Sequence, residues 1–508
     1  MINTPEHRRL LRVPLFIVFI ITLGVLPGLG PMEPSQSHAQ SSDWSTPIRL
    51  SEDIASAWFP YVAVDYAGGV HIIWDGVHRS TAGEFLRDLL YYTTQGVETW
   101  SRPNDVVVSD DIIRAALASD NAGKLHMVYR DHQWLYYKQA PVDAAWSAAT
   151  WTSPRVISDP DSYLPDIAID SHGTIHIVWT NSGELCPVCF PVFYRRSTDG
   201  GRTWSHTRVL SVSPAWRFRL QMEVGLEDNL YVLWDEVDDN GDLVFSIYVL
   251  SSDGGESWST PMHFASPLGG SRQATMSVDG WGNVVAVWRT DQDDHIYYQL
   301  SSDGGSSWSA PSIIDDILAR SRLYYASMYD KYDMAPDGGG NLHLVVVGQT
   351  SEAEDPEEPP GLYHLEWDGT SWSRPRLVFA EPDLFPEYPS IAVGEGNSLH
   401  TVWFARDREN FWDSPRGLYE IWYSSGRSSA PHVTAQSTPL ASPTPTPTPT
   451  VVPMSTESSG VEEPTRESTS GRVRDWQSVS VYPLGIAIAP VALLLLGLVI
   501  GRSWRVFR

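Results

Sequence analysis

The chain has 508 residues and a formal net charge of −27, and Lys occurs only at 124, 138 and 331, so the body lacks the clustered basic residues that nucleic-acid binding needs. An acidic surface suits solubility outside the cell and repels anionic polymers unless a local Arg pocket overrides the field. The 22 Trp residues recur at regular places, which points to a packing use.

The N-terminus carries Arg8, Arg9 and Arg12, an apolar run from Val13 to Leu29, and Ser37-His38-Ala39 before Gln40. Basic, apolar and small-x-small regions in that order predict a signal peptide over 1–39, with an uncleaved membrane helix as the alternative.

Residues 40–429 are a repeat of about 55 residues, found seven times. Each copy has an apolar strand, a polar turn and a second apolar strand that usually ends in Trp. Turn residue and strand end fall at 65/74, 120/129, 170/179, 225/234, 279/288, 337/346 and 394/403, nine apart each time. Short β-branched runs bounded by Gly, Asn and Asp are hairpins. A Tyr-rich third strand follows, as at Tyr91-Tyr92, Tyr136-Tyr137 and Tyr297-Tyr298, and Trp-Ser-x-Pro announces a fourth. Trp44-Ser-Thr-Pro47 precedes every inner hairpin and the seventh copy ends without such a segment, so the N-terminal strand is expected to complete the last sheet. The pattern predicts an all-β, seven-bladed β-propeller closed by that strand.

Cys186 and Cys189 lie between predicted strands of the third copy. A zinc site takes four ligands and a redox pair needs a helix N-terminus, so the expectation is a local disulfide. Residues 430–475 are rich in Pro, Thr and Ser, including the Pro-Thr run from Pro443, and predict an extended, disordered stalk. Residues 483–501 are apolar and close to membrane-spanning length, followed by Arg502, Arg505 and Arg508 in a basic tail, 502–508. The positive-inside rule places that tail in the cytoplasm and the body outside the cell, as a single-pass membrane protein.

Three octapeptides share the form Ser-x-Asp-Gly-Gly-x-Ser/Thr-Trp: Asp199, Gly200 and Trp204; Asp253, Gly254 and Trp258; Asp303, Gly304 and Trp308 mark them. They resemble the Asp box, or BNR repeat, of the sialidase superfamily, which implies a propeller of that kind. The relatives imply six blades as the alternative to the seven counted. The Asp folds back onto its own turn, the glycines accept positive φ, and the Trp packs beneath.

The resemblance further implies a ligand face opposite the Asp boxes. A retaining sialidase needs three Arg around a carboxylate, a Tyr nucleophile with a Glu, and an acid/base Asp. Candidates on the expected loops are Arg217, Arg219, Arg272, Arg322, Arg406, Glu236, Tyr324 and Tyr325. The Phe/Tyr-Arg-Ile-Pro signature of that family is absent before the first copy, where Thr46-Pro-Ile-Arg49-Leu50 is the nearest segment. The expectation is therefore a propeller that binds a glycan or cell-surface protein, with an exo-glycosidase of the sialidase type or a structural surface component as alternatives. No cofactor is implied. Glu236-Val-Asp238-Asp-Asn240-Gly241 has Ile247 where a calcium loop would close with Glu, and reads as a hairpin tip, so no metal site is assigned. His71, His126, His176, His343 and His400, three residues before each strand end, read as packing positions of the repeat.

Overall fold

In the computed structural model the described residues are 44–430, except 52–55, 80–84, 96–98, 110, 182–190, 214–216, 238–243, 265–268, 291, 322–328, 353–358 and 408–418. All belong to the first of two units, 1–437 and 438–508. The expected signal peptide, Cys186, Cys189, the stalk beyond Ala430 and the apolar segment 483–501 lie outside the described residues. Among the described residues no helix is long and apolar enough to cross a membrane.

The fold is all-β and propeller-like, built from antiparallel sheets. The first copy of the repeat is the sheet Ser56–Val64, Val70–Arg79, Phe85–Gln95 and Asn104–Ser109. The second, third and fourth copies are likewise four-stranded. In the last sheet Leu384–Gly394, Ser398–Asp407 and Tyr419–Arg427 are completed by Ile48–Arg49, in register Ile48↔Tyr423 and Arg49↔Trp422. The fifth and sixth copies form one eight-stranded sheet, because Ser312–Ala319 runs on to pair with Leu342–Thr350. Gly348 permits that junction, since a Cβ there would overlap the Leu318 carbonyl. Residues 315–319 are therefore strand and not a loop between copies. In the first copy the second and third strands stay paired beyond Trp74, with Asp75↔Leu90 and Val77↔Asp88 in register.

There is no single core. Seven apolar clusters fill the gaps between consecutive copies, and one of them joins the seventh copy to the first. Trp74, Trp179, Trp234, Trp288 and Trp403, the second-strand ends, are fully buried in them, and such aromatics dominate core energetics.

Polar links run through the same gaps. In the first three copies the turn Asp holds two N–H groups of its own turn with Oδ1 and a His Nε2 with Oδ2: Asp65 to His71 at 2.9 Å, Asp120 to His126 at 3.0 Å, Asp170 to His176 at 3.3 Å. The His Nδ1 meets a third-strand Tyr, at 2.6 Å for both Tyr92 and Tyr137 and at 2.8 Å for Tyr194. The Trp that opens the next copy's fourth strand then stands edge-on to that Tyr: Trp151 on Tyr92, Trp204 on Tyr137, Trp258 on Tyr194. Trp100 of the first copy meets Tyr423 of the last in the same way. The recurrent His residues are therefore buried braces.

Candidate functional site

The Asp boxes come first because they define one face. Asp253 Oδ1 accepts from Ser257 N at 2.8 Å and from Ser251 Oγ at 2.8 Å, and Oδ2 accepts from Ser257 Oγ at 2.5 Å. Asp199 and Asp303 repeat the arrangement. Bonds from Ser257 and Ser307 lower the carboxyls of Asp253 and Asp303 to about 2. These groups are saturated by their own turns. Nearby, Asp170, His172 and Asp228 bring ligand atoms within 4.8 Å of one another, yet Asp170 serves its turn and His176, and Asp228 serves Ser171 and His172.

At the other end of the inner strands lies a recurrent irregularity. Phe59, Arg114, Leu164, Arg219, Gln273 and Tyr388 all have φ between 50° and 58°, and at each the strand register slips. Each stands six residues before the turn residue of its copy, and Lys331 occupies the same place in the sixth. A bulge re-aims side chains, and left-handed non-glycine residues persist only where the surroundings over-determine them. Here carboxylates of the preceding copy hold bulge N–H groups: Asp75 Oδ2 accepts from Arg114 N at 2.6 Å and Asp235 Oδ2 from Gln273 N at 2.8 Å.

Below the bulges the inner strands enclose a cavity of about 240 Å³ lined by six of the seven copies. Its polar groups are Tyr61, Asp166, Gln221, Glu223, Thr275, Lys331, Asp333 and Ser390. Tyr61 Oη donates to Asp166 Oδ1 at 3.3 Å, and Lys331 Nζ lies 4.0 Å from Asp333. Burial pushes the Asp166 carboxyl up to about 6 and the Glu223 carboxyl up to about 8. Burial alone would lower the Lys331 ammonium, but Asp333, Tyr388 and Asp166 outweigh it and raise it. Lys331 Nζ also lies 4.7 Å from the Tyr388 ring centre, and the Arg114 guanidinium is 4.4 Å from that of Phe59 and 5.5 Å from that of Tyr388. Two cations over aromatic rings above buried carboxylates can hold a small polar ligand by hydrogen bonds and stacking.

Of the five arginines named from sequence, Arg217, Arg219, Arg272 and Arg406 lie among the described residues. Arg219 Nη1 pairs with Asp235 at 2.9 Å and its Nε bonds the Asp330 carbonyl; Gln273 Nε2 reaches Asp330 Oδ2 at 2.9 Å. Arg272 lies close enough to Arg219 to oppose its charge. Arg406 and Arg320 share Glu387, Arg320 at 2.7 Å. Arg217 Nε is 3.3 Å from Glu236, which also accepts from Trp234 Nε1 at 3.1 Å and from Ser213. Arg322, Tyr324 and Tyr325 lie outside the described residues. Sequence reasoning missed Phe59, Arg114, Asp166, Glu223, Lys331, Asp333 and Tyr388; the available signal was their offset from the turn residue, six for Phe59, Arg114, Lys331 and Tyr388, four for Asp166 and Asp333 and two for Glu223.

Residues 147–401 match the BNR repeat-like domain family. No curated protein matches the sequence. Solved structures similar to this chain include a protein of unknown function from Dyadobacter fermentans (14% identity, 76% of this chain and 99% of that one, TM-score 0.46). The NanB sialidase of Streptococcus pneumoniae (13%, 76% and 71%, 0.43) and the leech intramolecular trans-sialidase (12%, 73% and 68%, 0.43) are others.

Proposed function

The chain belongs to the BNR repeat-like domain family, and from that premise we propose that it is a seven-bladed propeller that binds a glycan at the axial cavity, on the face opposite its Asp boxes. The observation that carries this is the cavity lined by Tyr61, Asp166, Glu223, Lys331 and Asp333, with the Lys331 ammonium over the Tyr388 ring and the Arg114 guanidinium over Phe59 and Tyr388. Aromatic faces suit the C–H surface of a sugar ring, and carboxylates and ammonium suit its hydroxyls. Seven copies are supported by the eight-stranded sheet, which divides at Ala319↔Gly348 into two sets of four strands, and by the seven apolar gaps. The composition of the termini supports a body held outside the cell by the 430–475 stalk and the 483–501 anchor, after removal of 1–39.

Binding is favoured over sialidase chemistry by the arginines. Arg219, Arg320 and Arg406 are each at most 7% exposed and spend their guanidinium groups on Asp235, Asp330 and Glu387. A substrate carboxylate would have to displace those partners.

The test is a glycan array probed with the full chain in detergent, together with a fluorogenic sialoside. The expected result is one bound glycan class, lost on Lys331→Met and on Arg114→Ala at unchanged melting temperature, with no sialoside turnover. Turnover, or an array without signal, overturns the reading.

A further inference from the structure

The fourth copy of the repeat lacks both the Asp and the His of the brace that holds the first three. Gly225 stands where Asp65, Asp120 and Asp170 stand in the first three copies, and Tyr231 stands where their His does. The usual Tyr partner is also taken, since Tyr248 Oη accepts from Trp308 Nε1 at 2.7 Å and donates to the Gly305 carbonyl at 3.0 Å. Tyr231 is 2% exposed, and its hydroxyl makes no hydrogen bond among the described residues. The ring is buried, but its hydroxyl is not among the buried polar atoms left without a partner, so it opens on the adjoining cavity and is free to meet a ligand there.

Tyr231 lines a cavity of about 520 Å³ between the fourth and fifth copies, on the Asp-box face. The glycine is needed there: a Cβ on Gly225 would stand 2.5 Å from Val278 Cγ2 and 3.0 Å from Tyr231 Cε2. Tyr231, Leu250 and Val278 form an apolar wall, and Asn229, Ser252 and Ser302 offer an amide and two hydroxyls at the rim. The lining includes no Arg, Lys or His, while Glu227 and Asp303 contribute negative charge. Such a field rejects carboxylated and sulfated sugars.

We infer that this cavity is a second binding site, separate from the axial one, and that its ligand is a neutral saccharide unit. The ring's C–H face lies on the Tyr231 wall, and its hydroxyls complete the Tyr231 hydroxyl and meet the rim.

The probes are D-galactose, D-glucose, D-mannose and N-acetyl-D-glucosamine, with N-acetylneuraminic acid as the charged comparison. Each is titrated into the full chain and followed by saturation-transfer NMR and Trp fluorescence, Trp308 being bonded to Tyr248 beside the site. At least one neutral sugar saturates and the acid does not. Tyr231→Phe, which removes a single oxygen, weakens binding about tenfold at unchanged melting temperature, and Ser252→Trp at the rim abolishes it. The inference is overturned if no neutral sugar saturates, if N-acetylneuraminic acid binds as well, or if Tyr231→Phe binds like the parent. Because Tyr231 lies outside the axial cavity, its variant separates this site from the proposed glycan site.

Discussion

Gly254 and Gly255 are neighbours in one Asp box and carry different constraints. Both have positive φ, 66° and 83°. A Cβ on Gly254 would meet only Arg196 Nη1, at 3.7 Å, whereas one on Gly255 would overlap the Tyr194 hydroxyl of the preceding copy. Gly254→Ala should therefore cost about 1–2 kcal/mol, the strain of a left-handed residue, and Gly255→Ala about 2–5 kcal/mol once overpacking is added. Urea denaturation of both variants measures the difference. The Asp-Gly-Gly motif was plain in the sequence, but the tyrosine that forbids a side chain on the second glycine is more than 60 residues away in its register and was not. Glu223 gives a prediction in pH. Burial raises its folded pKa to about 8, so the fold binds the proton more tightly than the unfolded chain does. Its contribution is most favourable below the unfolded carboxyl range and declines as pH rises toward 8. Glu223→Gln, neutral throughout, should match the parent's melting temperature near about pH 4 and exceed it by roughly 2 °C or more near about pH 8. Equal melting curves at both pH values would falsify the buried-carboxyl account.

Among elements, the inner-strand bulges show what a sequence pattern conceals. The hairpins were legible because turn residue and strand end keep a fixed separation and β-branched residues fill the run between. The bulges were not, because Phe59, Arg114, Leu164, Arg219, Gln273 and Tyr388 share a backbone conformation and no side-chain chemistry. What secures them comes from a neighbouring copy. Asp235 binds the Arg219 guanidinium at 2.9 Å, the Gln273 N–H at 2.8 Å and the Ser246 hydroxyl at 2.6 Å. Asp235→Ala leaves a buried guanidinium and a bulge N–H without their acceptor and should destabilise by about 3–5 kcal/mol. Asp235→Asn keeps an acceptor for Gln273 and should cost less; chemical denaturation of the two ranks them. The join between the fifth and sixth copies was equally hidden, since it depends on a close backbone approach at Gly348 that neither strand's side chains announce.

For the whole molecule, repetition made the arrangement readable and departures from repetition made the sites. Positions that recur, such as the His braces and the Trp-on-Tyr contacts, are packing. The candidate ligand groups are the ones that change from copy to copy: Lys331 or Arg114 at a bulge, Asp166 or Glu223 below it, Gly225 and Tyr231 where Asp and His are the rule. A sequence reveals such departures but not whether a neighbour fills the space they leave. The closing sheet has a mechanical consequence. Tyr419–Arg427, the last strand before the segment beyond Ala430, is clasped on one side by Ser398–Asp407 and on the other by Ile48–Arg49. A pull delivered through that segment falls first on a strand gripped from both flanks, so tension reaches the two ends of the folded chain together and the ring resists being peeled open from its seam.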